Sequence, residues 1–336
     1  MFTNKSLPPH IKAVDTASMS RKEWEQFRSS LNTLGGSDVG ACIGLSKWKS
    51  NIELFYEKLN LYKKEFHDSV PMIMGRELED NIRKLFAYYD IENPDSFVDN
   101  YAQGKKVNSV RQRKATFFNT LVPELHANID GITKIKGRRD WGILEIKYQS
   151  GQAVRMWENN LNPSYIAQVV AYMEVMEASY GVLVVIEDAN KWNVHVIERN
   201  PDFWGRVYPT IQEFYESIQV AEVLRDSTPN EEEQFSLVAS AEPESFKEQS
   251  KPYESFLSGY ARAKETQLVL EGSDEMYTTA MSIKDLQNEI TNLEDESRHL
   301  KNSIRKFMID NNAQVINFGD RGSITYRNQL RFNIKS

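Results

Sequence analysis

Residues 128–148 run Asn128-Ile129-Asp130-Gly131, then a stretch carrying Lys134, Lys136, Arg138 and Arg139, then Trp141-Gly142-Ile143-Leu144-Glu145-Ile146-Lys147-Tyr148. The last part alternates as a β-strand does. Leu144, Ile146 and Tyr148 project to one face, Glu145 and Lys147 to the other, because successive strand side chains point to opposite sides. Asp130 precedes Glu145 by fifteen residues. Two carboxylates are hard oxygen ligands suited to Mg²⁺, and equally to Mn²⁺. Such a cation polarises a phosphoryl oxygen and acidifies water. A lysine ammonium beside it offers a point charge to attacking water or to charge developing on phosphorus. The pattern fits metal-assisted phosphodiester hydrolysis. Taken alone, the spacing fits a solvated strand face better, since acid–lysine pairs two apart are common there.

Outward from this strand the chain alternates helical and strand patterns as far as residue 220, which predicts an α/β fold with a mixed central sheet. Leu78, Ile82, Leu85, Phe86 and Tyr89 recur at helical spacing and predict an amphipathic helix over 76–90. Glu79 lies one step round from that stripe, where it either overhangs a sheet edge as a further metal ligand or sits in solvent near a helix start. Asn162-Pro163 is a helix-start pair, predicting a helix over 163–178. Gln168 and Tyr172 share one face of it, either supporting the strand lysine and a nucleotide or facing solvent. Two strands, 181–187 and 192–198, flank Asp188-Ala189-Asn190-Lys191 as a hairpin.

The last third differs. Residues 221–275 hold 13 acidic and 5 basic side chains, a net of −8, with Pro229, Pro243 and Pro252 interspersed. Residues 221–252 therefore predict an acidic linker between a domain over 1–220 and a helical module over 253–336. Within that module, residues 276–311 keep a coiled-coil-like heptad. Ile283, Ile290, Ser297 and Ile304 take the a positions; Leu286, Leu293, Leu300 and Phe307 take the d positions. That stripe calls for burial against a second copy, against the chain's own body, or against part of 253–272, which holds Phe256, Leu257, Tyr260, Leu268 and Leu270. Two short strands around Gly319-Asp320-Arg321-Gly322 predict a terminal hairpin.

Composition narrows the function. Of 336 residues, 40% are hydrophobic and 26% charged, a globular balance. No apolar run reaches the ~18–20 residues that span a bilayer, and Met1 to His10 lacks the apolar core of a secretory signal. A single cysteine, Cys42, excludes an intramolecular disulfide and a cysteine-ligated cluster, and suits a reducing, cytoplasmic interior. Net charge is −7, yet phosphate is bound by local patches. Lys105, Lys106, Arg111, Arg113 and Lys114 form one such patch, or else a solvated basic face.

The order Glu79, Asp130-Gly131, Glu145-Ile146-Lys147, then Gln168-x-x-x-Tyr172 resembles the PD-(D/E)XK nucleases of the RecB-like branch. Trp24-x-x-x-Arg28, Gly35-Gly36-Ser37-Asp38-Val39-Gly40-Ala41, Gly44-Leu45-Ser46, Leu54-Phe55-Tyr56-Glu57-Lys58 and Gly75-Arg76-Glu77-Leu78-Glu79 resemble the opening of YqaJ-type viral recombinases, the lambda-exonuclease family. The resemblance spans about residues 20–200, with Ile129 standing where the motif has proline. It implies a PD-(D/E)XK core, a Mg²⁺-dependent 5′-to-3′ exonuclease acting on double-stranded DNA ends, a single-strand annealing protein as partner, and a homo-oligomer. It assigns Asp130, Glu145 and Glu79 to the metal, Lys147 to catalysis and Gln168 to support of the site. It assigns Arg28, Ser37 and Tyr172 to DNA or its 5′ phosphate. Two other readings stay open: an endonuclease or nickase with the same site, and a non-cleaving DNA-binding assembly protein on a nuclease scaffold.

Overall fold

The computed structural model describes residues 7–63, 69–154, 157, 161–188, 190–244, 248, 250–263, 271–326 and 329–334. The chain divides into two compact units, Met1–Lys264 and Glu265–Ser336. The first holds β1 (Ile11–Asp15), α1 (Arg21–Ser29), β2 (Leu34–Gly35), α2 (Gly36–Cys42), α3 (Asn51–Lys58), α4 (Val70–Phe86), α5 (Phe97–Ala102), β3 (Ser109–Arg111) and β4 (Ala115–Asn119). It continues with β5 (Leu125–Asn128), β6 (Gly131–Lys134), β7 (Gly142–Gln149), α6 (Gly151–Val154), α7 (Pro163–Met176), β8 (Tyr180–Glu187), β9 (Lys191–Glu198), α8 (Pro201–Asp226), α9 (Glu231–Ala239) and α10 (Lys251–Ala263).

The five-stranded sheet has the order β3-β6-β7-β8-β9. β7 and β8 run parallel, with α7 in the connection between them, and the other pairs are antiparallel. All eight residues of β8 are buried, as befits a central strand covered on both faces. Alternation divides the core in two. Leu144 and Ile146 of β7 pack with Val182, Val184 and Ile186 of β8 beneath Ile82 and Phe86 of α4. Ile143, Leu183 and Val185 share the other cluster with Val169, Met173 and Met176 of α7. Glu145 and Lys147 thus lie on the α7 side of the sheet.

A second sheet has the order β1-β4-β5-β2. β3 and β4 run against β6 and β5 as one bent ribbon, β3–β6 in the larger sheet and β4–β5 in the smaller. Residues 112–114 and 129–130 cross between the sheets at the bend. Gly131 sits just past it, and a Cβ there would lie 2.9 Å from the Arg111 carbonyl oxygen, so only glycine lets the two strands meet this closely.

Three expectations change. The helix predicted over 76–90 is Val70–Phe86, with Pro71 in its first turn. Its opening residues Val70, Met72 and Ile73 are exposed, so no apolar stripe marks them, and Tyr89 is buried beyond the helix end. Residues 221–252, read as a linker, carry the end of α8 and all of α9. Val238 and Phe256 join the main core, and the Tyr56 ring stacks on Phe235 at 6.2 Å and on Phe256 at 5.6 Å. The summed charge concealed these few inward apolar positions. Residues 253–263 accordingly belong to the first unit; Leu268 and Leu270 lie outside the described residues.

The second unit consists of α11 (Asp274–Asp310) and a three-stranded antiparallel sheet of β10 (Val315–Asn317), β11 (Gly322–Tyr326) and β12 (Leu330–Ile334). The terminal hairpin therefore has a third strand. Tyr326 pairs with Leu330, folding back a stretch that reads as continuous because both halves alternate. Among the described residues no helix is long and apolar enough to cross a membrane.

Candidate active site

Arg28, Ser37, Glu79, Asp130, Glu145, Lys147, Gln168 and Tyr172, the eight residues singled out above, line one cavity of about 460 Å³ at the ribbon bend. β7 delivers the centre. Glu145 is 2% exposed, and the Lys147 Nζ lies 2.6 Å from its Oε1. Gln168, from α7, donates its Nε2 to the same oxygen at 2.7 Å and to the Tyr172 hydroxyl at 3.1 Å. Gln168 and Tyr172 are therefore buried wall residues and not a solvent stripe. β6 pairs along β7 only as far as Leu144, opposite Gly131. Asp130 continues that edge, its Oδ2 accepting the Ile146 N–H at 2.7 Å.

Electrostatically the centre is short of positive charge. Burial, reinforced by Glu145 and Glu79, raises the Asp130 carboxyl well above the usual range. Burial and the Glu145 charge raise Glu79. Burial also raises Glu145, against the pull of Lys147. Burial works against the Lys147 ammonium as well, yet Glu145 and Asp130 outweigh it and hold its pKa above that of an ordinary lysine. Arg83 lies beneath, its charge acting on Glu79.

The residues fit a divalent cation. Glu145 Oε1 is taken by Lys147 and Gln168, while Oε2 is buried and accepts no hydrogen bond. A buried carboxylate oxygen without a donor is costly unless a cation meets it. As the side chains stand, no three Asp, Glu, His or Cys groups among the described residues gather to metal-holding distance. The carboxylates that the cavity offers such a cation are Asp130 and Glu145, with Glu79 also in its lining.

The opposite wall is the start of α2. Arg28 Nη2 donates to Ser37 Oγ at 3.0 Å, and its guanidinium lies 5.4 Å from the centre of the Trp24 ring. A Cβ at Gly36 would lie 2.3 Å from the Tyr172 ring, so glycine is what lets this turn press onto α7. Asp38 Oδ2 binds the turn from within, accepting the Gly35 N–H at 3.0 Å and meeting Lys58 Nζ at 2.8 Å. Lys58 also donates to the Thr33 carbonyl at 3.1 Å. Burial opposes ionisation of Asp38, but Lys58 draws its pKa down to about 2.

Sequence reading missed several groups. Gln112, Arg113 and Lys114 line the cavity from the bend, and Arg21 from α1. Arg113 and Lys114 had appeared only as part of a diffuse basic patch; of the same patch, Arg111 lies 4.6 Å from the centre of the Trp141 ring. Arg83 had a signal, being one helical turn after Glu79. The Asp38–Lys58 pair, twenty residues apart, had none.

Mixed sheet and flanking helices together define an α/β protein, with the acid–lysine pair carried on the β7 strand of that sheet. Residues 23–179 match the family model of the YqaJ-like viral recombinase domain, the same family the motifs resemble. Over 200 residues the chain is 30% identical to the uncharacterized protein YqaJ of Bacillus subtilis (strain 168); the match covers 59% of this chain and 56% of that relative, so the chain spans little more than half its length. Among solved structures, an alkaline exonuclease (LHK-Exo) from Laribacter hongkongensis aligns with a TM-score of 0.43 at 17% identity, covering 61% of this chain and 96% of that one. The same enzyme in complex with dAMP gives a TM-score of 0.43 at 17% identity, covering 60% and 97%.

Proposed function

We propose that this protein is a metal-dependent DNA exonuclease of phage-recombination type. It resects duplex DNA from 5′ ends and leaves 3′ overhangs for a single-strand annealing protein, in the cytoplasm of a bacterial or phage-infected cell. The observation that carries this reading is convergence: the acid–lysine set and the Arg28–Ser37 pair line the same cavity. Asp130 and Glu145 would hold Mg²⁺, or Mn²⁺ with the same donors, and Glu79 would assist. When bound, the cation supplies Lewis-acid polarisation of the scissile phosphate and a more acidic water.

The chain's own groups do the rest. Gln168 and Lys147 hold Glu145 in one rotamer and leave its second oxygen to the cation. Lys147, kept protonated by the acids around it, places positive charge where the phosphoryl group accumulates negative charge. Arg28 offers a guanidinium fork to a terminal phosphate, and Ser37 a hydroxyl beside the main-chain amides of the glycine turn. The distance from that wall to the carboxylates then determines which phosphodiester is cut. Release of acid-soluble nucleotides from linear duplex, with and without Mg²⁺, tests the reading, using 5′- and 3′-labelled strands for polarity. Cleavage of closed circular DNA would make it an endonuclease, and binding without Mg²⁺-dependent cleavage would make it a non-cleaving assembly protein.

A further inference from the structure

Helix α11 carries an apolar stripe that nothing among the described residues of its own unit covers. Ile283, Leu286, Ile290, Leu293, Leu300 and Phe307 are each 52–58% exposed, although they occupy six of the eight a and d positions. Among the described residues of Glu265–Ser336, Met308 and Ile324 are the buried apolar side chains. That is too little core to hold a 37-residue helix, since helix stability in water comes mainly from packing one face. We propose that α11 pairs with α11 of a second copy of this chain as a parallel, in-register, two-stranded coiled coil centred on Ser297.

Four features of the sequence select that occupant. Three of the four a positions are Ile and three of the four d positions are Leu, the distribution that favours two parallel strands. The polar a position, Ser297, meets its own copy only in a parallel register, where the two hydroxyls can hydrogen-bond to each other. An antiparallel pair that keeps every a and d residue inside sets Ser297 against Leu293 and leaves the hydroxyl facing leucine. Charge points the same way. In the parallel pair, Glu296 at g faces Lys301 at e of the second copy, which offsets Glu289 facing Glu294. The antiparallel pair sets Glu294 beside Glu294 and Glu296 beside Glu296, with no opposite charge to compensate. Ile283 to Phe307 is about 37 Å of helix at 1.5 Å per residue, enough for eight core layers.

The test uses the full-length chain with one introduced thiol. Cys42 is fully buried, so an added cysteine on α11 is the reactive one. Leu286→Cys and Ile304→Cys are prepared separately, exposed to mild oxidant and run on non-reducing gels. In the proposed pair, each variant alone forms a disulfide-linked dimer of twice 38.9 kDa, because each position faces itself. Adding Ile290→Asp and Leu293→Asp to the Leu286→Cys protein removes that product while far-UV circular dichroism keeps the signal of the nuclease body. A dimer formed only when the two cysteine variants are mixed would show an antiparallel pair and overturn the proposal. No dimer from either variant or from the mixture would show that the stripe is covered within the chain or by another protein, and would overturn it as well.

Discussion

Replacing Asp38 by asparagine tests whether the cavity wall formed by Gly35 and Ser37 is held by a buried charge or only by a hydrogen bond. Asparagine keeps an oxygen for the Gly35 N–H but gives up the ion pair with Lys58. Asp38 falls from its ordinary 3.8 to about 2 in the folded protein. At about 1.4 kcal/mol per pH unit, the charge contributes about 2 kcal/mol of stability at neutral pH. The sign follows from the lowered folded-state pKa. The contribution is complete above the unfolded-state value and is lost as pH falls from 3.8 towards 2. By linkage, about half of it remains at pH 3. Urea denaturation of wild type and Asp38→Asn at pH 7, 5, 4 and 3 measures the difference, and a thermal scan at pH 7 should show a loss of roughly 5 °C. The gap should be constant from pH 7 to 5 and narrow below pH 4. A gap equal at all four values, or none at pH 7, would refute the ion-pair account of the turn. Digestion rates should fall at pH 7 in the same variant, because Ser37 loses its fixed position.

Other perturbations address the site and its boundaries. Asp130→Ala, Glu145→Ala and Lys147→Ala should each lower cleavage by at least ~10²–10³ while circular dichroism stays native; near-normal turnover in Lys147→Ala with the metal still required would remove that lysine from the chemistry. Arg28→Ala should slow digestion of 5′-phosphorylated ends far more than of 5′-hydroxyl ends, and an equal loss on both would make it a general electrostatic contact. A chain ending at residue 264 should fold and keep nuclease activity, as seen by circular dichroism and nucleotide release. One ending at 222 should not, because it uncovers the Tyr56 ring that Phe235 and Phe256 stack against.

What the sequence determined is local. The alternation of 141–148 put Glu145 and Lys147 on one side of a strand, since the period of two is a property of the extended backbone itself. Asn162-Pro163 marked the start of α7 within a residue, since capping and a fixed φ act over single peptides. Motif order was equally legible, and with it the resemblance that grouped eight residues from six stretches of chain. Tertiary structure decided what depends on distance along the chain. Asp130 meets Ile146 only because the ribbon bends between two sheets, and nothing in 112–114 or 129–130 announces that bend. Lys58 reaches Asp38 because α3 folds back on α2. The helices of the acidic segment were hidden for a related reason: net charge sums over a stretch, whereas docking needs only Val238 and Phe256 at the right depth, against partners nearly two hundred residues earlier.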